Sequence, residues 1–118
     1  MATIRITNLK LRTIIGINDW ERDTKQDVII NIAIEFDAAR SSQSDDIKDT
    51  IDYKCLTKEI IREVEGSAYF LLEKLARMIM KIIMKDKRAK GASVRVDKPG
   101  ALRFCDSVSV EITEKGDE

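Results

Sequence analysis

Val28-Ile29-Ile30-Asn31-Ile32-Ala33-Ile34-Glu35-Phe36 places a large apolar residue at every second position. A period of two marks a strand, whose side chains point alternately to opposite faces, and β-branched residues suit that pleated surface. The stretch predicts a long strand with one buried face. Upstream, Ile4 and Ile6 alternate with polar neighbours, and then Leu9, Leu11, Thr13 and Ile15 alternate in the opposite phase. A slip of one residue turns a strand over, so a bulge near Thr7-Asn8 is expected to keep both halves facing one core. Gly16 opens a connection through Asn18, Asp19, Trp20, Glu21, Arg22 and Asp23, rich in turn formers. The two runs therefore predict an antiparallel hairpin.

Downstream, Ser41 to Asp49 is polar and reads as a surface connection. Leu56, Ile60, Ile61 and Val64 follow at helical spacing, with Gly66 as the stop. A second helix carries Leu72, Leu75, Ala76, Ile79, Ile82 and Ile83 on one face, widened by Leu71 and Met78. Its basic end holds Lys81, Lys85, Lys87, Arg88 and Lys90, and Gly91 is read as closing it. A third strand spans Ala92 to Asp97, and Val108, Val110 and Ile112 mark a fourth. The order ββααββ predicts an α+β fold: a four-stranded antiparallel sheet with two helices on one face. A chain of 118 residues is expected to form one domain, residues 1–118.

Lysine plus arginine equals aspartate plus glutamate at 21 each, so no net field draws nucleic acid or an anionic membrane. The basic cluster at 85–90 complements a helix C-terminus and lacks the interleaved aromatics of a base-stacking surface. Neither nucleic acid nor membrane is expected as a partner. Cys55 and Cys105 have no metal-site spacing, which suggests reduced thiols and a cytoplasmic protein. Strand-like alternation from the first residues leaves no room for a signal peptide, and no apolar run approaches the roughly 20 residues of a membrane helix.

The chain has no histidine, so proton transfer near neutral pH falls to Lys, Tyr, Glu, Asp or water. Lys98 stands where the third strand meets Pro99-Gly100, a rigid edge suited to a catalytic amine. Glu21 in the first loop, Tyr53 before the first helix and Glu73 early in the second are the other candidates. Each has a plainer reading. Lys98 and Glu21 can be solvated charges, Tyr53 can cover the edge of the core, and Glu73 can complement a helix N-terminus. Trp20 and Phe104 are expected to fill core or interface. Without a neighbouring histidine, neither cysteine suits a nucleophile's role.

The stretches Ile15-Gly16-Ile17-Asn18-Asp19-Trp20-Glu21, Ile51-Asp52-Tyr53, Leu71-Leu72-Glu73-Lys74-Leu75-Ala76 and Lys98-Pro99-Gly100-Ala101 occur in one order and register. Together they resemble the dihydroneopterin aldolase and dihydroneopterin triphosphate 2′-epimerase family, over about Ile4 to Thr113. The resemblance implies the tunnelling fold, whose subunits join sheets into a barrel, as a homo-tetramer or homo-octamer with the site between subunits. It implies a dihydropterin substrate, a role in folate biosynthesis, and neither cofactor nor metal. By resemblance, Lys98, Tyr53 and Glu21 are catalytic, and Glu73, Leu72 and Tyr53 bind the pterin. Asp19-Trp20-Glu21 and Lys98-Pro99-Gly100-Ala101 are similar to many bacterial aldolases. Ile4 to Thr13 and Ala101 to Ser109 resemble the epimerase branch instead. Aldolase, with accompanying 2′-epimerase activity, is the leading expectation, triphosphate epimerase the alternative, and a pterin-binding module without turnover the third. A triphosphate would need cations, for which Arg103, Arg22 and Lys25 are candidates.

Overall fold

The alternating run is strand β2 (Gln26–Phe36) in a computed structural model that describes residues 1–116. Val28, Ile30, Ile32, Ile34 and Phe36 are all buried on one face. Strand β1 (Ala2–Ile15) pairs with it antiparallel, and the register jumps where Ile6 opposes Ile32 but Leu9 opposes Ile30. Thr7 and Asn8 thus face the single residue Asn31, the bulge that the phase change requires. Asn8 takes φ 54°, and its N–H donates to Asn31 Oδ1 at 2.9 Å. Asparagine tolerates this left-handed backbone because its short polar side chain bonds locally.

Strands β4 (Gly91–Pro99) and β5 (Ser107–Lys115) continue the sheet antiparallel from β2. Helices α2 (Tyr53–Glu65) and α3 (Leu72–Met84) cover one face of the sheet. Leu75, Ala76, Ile79, Met80, Ile82 and Ile83 of α3 meet Val94 and Val96 of β4 in the core. Each fully buried Ile or Leu contributes roughly 1.5–3 kcal/mol, so this layer holds the sheet end that carries Lys98.

Three expectations change. The sheet has five strands in the order β3-β1-β2-β4-β5, because β3 (Ala68–Tyr69) pairs parallel with Ile14 and Ile15. Two residues give no alternation to detect. The connection after β2 contains a six-residue helix, α1 (Ala39–Ser44), without buried residues and hence without an apolar stripe. Gly91 does not close α3, which ends at Met84; it is a buried first residue of β4. The chain between turns at Asp86–Ala89 and rejoins the sheet through Lys90 N–H to Glu35 O at 2.8 Å.

Trp20 and Phe104 are not part of this chain's core, at 63% and 95% exposure. Among the described residues no helix is long and apolar enough to cross a membrane. No group of three or more His, Cys, Asp or Glu among them could hold a metal ion.

Candidate active site

Lys98 extends the buried line of Ala92, Val94 and Val96, two residues further along β4 on the helix-covered face. Its cross-strand partner is Val108. The alkyl stem therefore continues the core, and only the ammonium needs a polar partner. That partner is Glu21, whose Oε2 accepts from Lys98 Nζ, with side chains 14% and 4% exposed.

Glu21 sits in a 3-10 turn, Asp19–Asp23, which it closes by a capping box with Asn18. Asn18 donates to Oε1 from its backbone N–H at 3.1 Å and from Nδ2 at 2.8 Å. Gln26 Nε2 donates to Oε2 at 3.0 Å and to Ile15 O at 2.8 Å. Lys98's hydrogen bond, followed by Gln26's, lowers the Glu21 pKa from 4.5 to about 2 despite the opposing effect of burial. The carboxylate is thus a fixed anion at neutral pH. An ammonium has three donors, and Glu21 takes one, leaving two for a water or substrate oxygen.

Gly16 makes the room. It is buried with φ 125°, and a Cβ there would lie 2.3 Å from Glu21 Cδ and Oε2. Only glycine combines that backbone with so close an approach.

Arg22, the residue after Glu21, reaches the opposite side. Its Nη1 donates to Gly16 O at 2.9 Å and Tyr69 O at 3.0 Å, its Nη2 donates to Ala68 O, and its guanidinium lies 4.0 Å from the Phe70 ring centroid. Arg22 thus spends three of its five donors on backbone carbonyls, which leaves it less of its guanidinium for a phosphate. The segment it grips leads directly into α3, with half-buried Leu72 and exposed Glu73 in the first turn. Leu72 and Glu73 thus stand at the same end of the molecule as Lys98 and Glu21.

Tyr53 does not. It is the first residue of α2, behind the Asp52 cap that accepts from Cys55 N–H at 3.1 Å, and it is 60% exposed. The opposite end of α2 adjoins β1, where Ser67 O accepts from Thr13 Oγ1 at 2.9 Å. The Tyr53 end lies instead beside the far end of α3, where Asp52, Cys55 and Leu56 share a groove with Lys85 to Arg88. Thirteen helical residues span about 20 Å, so within one chain Tyr53 is remote from Lys98.

Arg103 is exposed, 5.1 Å from the Phe104 ring centroid, and Lys25 is exposed as well. Sequence reasoning passed over Asn18, Gly16 and Gln26 as parts of this site. Gln26 carried a signal: it shares the parity of Val28 and Ile30, an amide in line with a buried stripe.

A family model described as dihydroneopterin aldolase matches residues 4–113. The chain belongs to the dihydroneopterin aldolase family. Within that family, it is 44% identical over 112 residues to dihydroneopterin triphosphate 2′-epimerase of Pseudomonas aeruginosa, covering 95% of this chain and 91% of that one. It is 28% identical over 116 residues to dihydroneopterin aldolase of Escherichia coli, covering 98% and 94% respectively. The crystal structure of Escherichia coli dihydroneopterin aldolase in complex with neopterin matches with a TM-score of 0.91 at 26% identity, covering 97% of this chain and 99% of that one.

Proposed function

We propose that this enzyme opens the C1′–C2′ bond of 7,8-dihydroneopterin by a retro-aldol step, with Lys98 as the proton-transfer group. The observation that carries the reading is the buried Glu21 carboxylate, fixed by four hydrogen bonds and spending one of its oxygens on the Lys98 amine. Lys98, entering the step as the neutral amine, takes the proton of the 2′-hydroxyl through an ordered water and becomes the ammonium that Glu21 holds and that later returns the proton at C1′. The C1′–C2′ bond then breaks, its electrons passing into the ring C=N beside C1′, and glycolaldehyde leaves. Protonation at C1′ gives 6-hydroxymethyl-7,8-dihydropterin, a step in folate biosynthesis. The substrate is its own electron sink, so this sequence needs neither a Schiff base nor a cofactor. Glu21 holds the amine rather than exchanging protons itself, in keeping with its low pKa.

Glu73 anchors the pterin, because a carboxylate accepts two parallel N–H bonds from a guanidine-like edge, and Leu72 packs beside it. Tyr53 comes from a neighbouring subunit, since its own lies at the far end of α2. Two sheet edges support such an assembly. Among the described residues, the outer edge of β5 and that of β1 before Ile14 have no strand partner. Pairing them edge to edge would build a cytoplasmic tetramer or octamer barrel.

The identity of 44% to an epimerase, against 28% to an aldolase, favours a second reading. If the aldehyde rotates in place and adds back, C2′ is inverted and no carbon leaves. Both outcomes use one intermediate, and the triphosphate ester would then be the substrate, with Arg103 near its phosphates. Incubation with 7,8-dihydroneopterin and with its triphosphate separates them: glycolaldehyde marks cleavage, a 2′-epimer without glycolaldehyde marks epimerisation. Lys98→Ala should abolish turnover while retaining most pterin affinity, and Glu73→Ala should do the reverse. Saturable pterin binding with no product from either substrate would reduce the chain to a binding module. An Arg103→Ala enzyme with unchanged preference between the two substrates would remove Arg103 from the site.

A further inference from the structure

We propose that Arg22 is a positioning residue that sets the separation between the pterin anchor and the proton-transfer pair. This inference rests on the function proposed above. The anchor, Glu73, and the pair, Glu21 with Lys98, come from different elements: the first turn of α3, a 3-10 turn, and the end of β4. Elements that share a substrate must be held in register, since a misplacement of about 1 Å can cost on the order of a hundredfold in rate.

Tyr69 and Leu72 pack against the core and Thr13 Oγ1 donates to Ser67 O, but past Ser67 the entry to α3 has few polar ties at this end. Strand β3 is two residues long and pairs only with Ile14 and Ile15. The first residue beyond that ladder adds one bond, Gly16 N–H to Tyr69 O at 3.3 Å. The α3 cap is Leu71, which offers no side-chain hydrogen bond. Arg22 supplies what is missing: one guanidinium donates to carbonyls on both sides of the junction, Gly16 on one and Ala68 and Tyr69 on the other. The guanidinium carbon sits over the Phe70 ring at 4.0 Å from its centroid, a cation–π contact that adds to the grip.

Glu21 and Arg22 are adjacent in one rigid turn, the first reaching Lys98 and the second reaching the α3 entry. Any shift of one half of the site is thereby passed to the other. A lysine cannot replace this fork, because its ammonium is a point charge on a flexible stem.

The fate of the shared intermediate reports this geometry. Proton delivery to C1′ and re-addition of the aldehyde compete within one closed site. Their ratio depends on where the ring sits relative to Lys98, and it is independent of how much enzyme is folded. Arg22→Met keeps the stem and removes the fork. Phe70→Leu keeps the fork and removes the ring beneath it.

The experiment compares both variants with wild type by product ratio (cleavage against epimerisation) and by amide hydrogen exchange over residues 68–75. Arg22→Met is expected to change the ratio at least threefold and to speed exchange in that segment at least tenfold; Phe70→Leu should do both to a smaller extent. Arg22→Lys should not restore the wild-type ratio. An unchanged ratio, or unchanged exchange over 68–75, overturns the proposal. Wild-type enzyme that forms neither product overturns the proposed function instead, while the exchange comparison still decides whether Arg22 holds the α3 entry.

Discussion

Replacing Glu21 by glutamine removes one charge and almost no volume, so it isolates what the carboxylate does for Lys98. The depression of the Glu21 pKa from 4.5 to about 2 measures everything that holds the anion: Lys98's hydrogen bond first, then Gln26's and Asn18's, against burial. At about 1.4 kcal/mol for each pKa unit, that difference sets a ceiling of roughly 3 kcal/mol. Solvent reaches the lysine end of the pair, whose side chain is 14% exposed, and screening reduces the expected cost of Glu21→Gln to about 2 kcal/mol at pH 7. A carboxylate with a depressed pKa stabilises the fold fully above its unfolded value, and that stability is lost as pH falls through its folded value. Glutamine does not titrate. The stability gap between wild type and variant should therefore be flat above about pH 5, narrow below 4.5 and nearly close as the pH approaches 2. Urea unfolding at matched protein concentration, at pH 7, 5, 4 and 3, measures this gap directly. A gap that stays constant from pH 5 to pH 3, or no gap at pH 7, would refute the claim that Glu21 is an anion held by Lys98. A second control follows from the geometry. Adding Lys98→Met to Glu21→Gln should recover part of the lost stability, because the stranded ammonium disappears with its partner.

Gly16→Ala attacks the same carboxylate from the backbone side. A Cβ placed 2.3 Å from it must push it off Lys98, so turnover should fall on the order of a hundredfold while pterin affinity, which we assign to Glu73, changes far less. Backbone strain at φ 125° should add roughly 1–3 kcal/mol of destabilisation, read from the same urea curves. Subunit mixing tests the placement of Tyr53. Lys98→Ala and Tyr53→Ala proteins, each inactive, should regain about a quarter of wild-type activity when dissociated together and reassembled at equal ratio, because random neighbours rebuild one site in four. No recovery would place both residues' function in one subunit.

The strands and the two long helices were legible because burial imposes a period on the sequence. The interruption between Ile6 and Leu9 was legible for the same reason: a phase change in that period has one economical backbone solution, and Asn8 with Asn31 provides it. Elements too short to show a period, β3 and α1, could not be read this way. The two halves of the site differ in the same manner. Lys98 stands out as a candidate because it ends a strand, and Glu21 because of the family motif around it. What makes Glu21 more than a loop charge lies in contacts across 77 residues of chain to Lys98 and on the vacancy above Gly16, neither of which has a local signature.

Arg22 shows the limit most sharply. In the sequence it is a cation beside a candidate site, as open to a phosphate as to solvent. In the fold three of its five N–H donors go to carbonyls, two of them 46 and 47 residues away. Charge near a site therefore argues for an anionic substrate only after backbone acceptors have been counted. By that criterion Arg103 and Lys25, both exposed, are better placed than Arg22 to test the triphosphate proposal. Whether a cation serves the substrate or the scaffold is decided by a segment, Ala68–Phe70, too short to announce itself in the sequence.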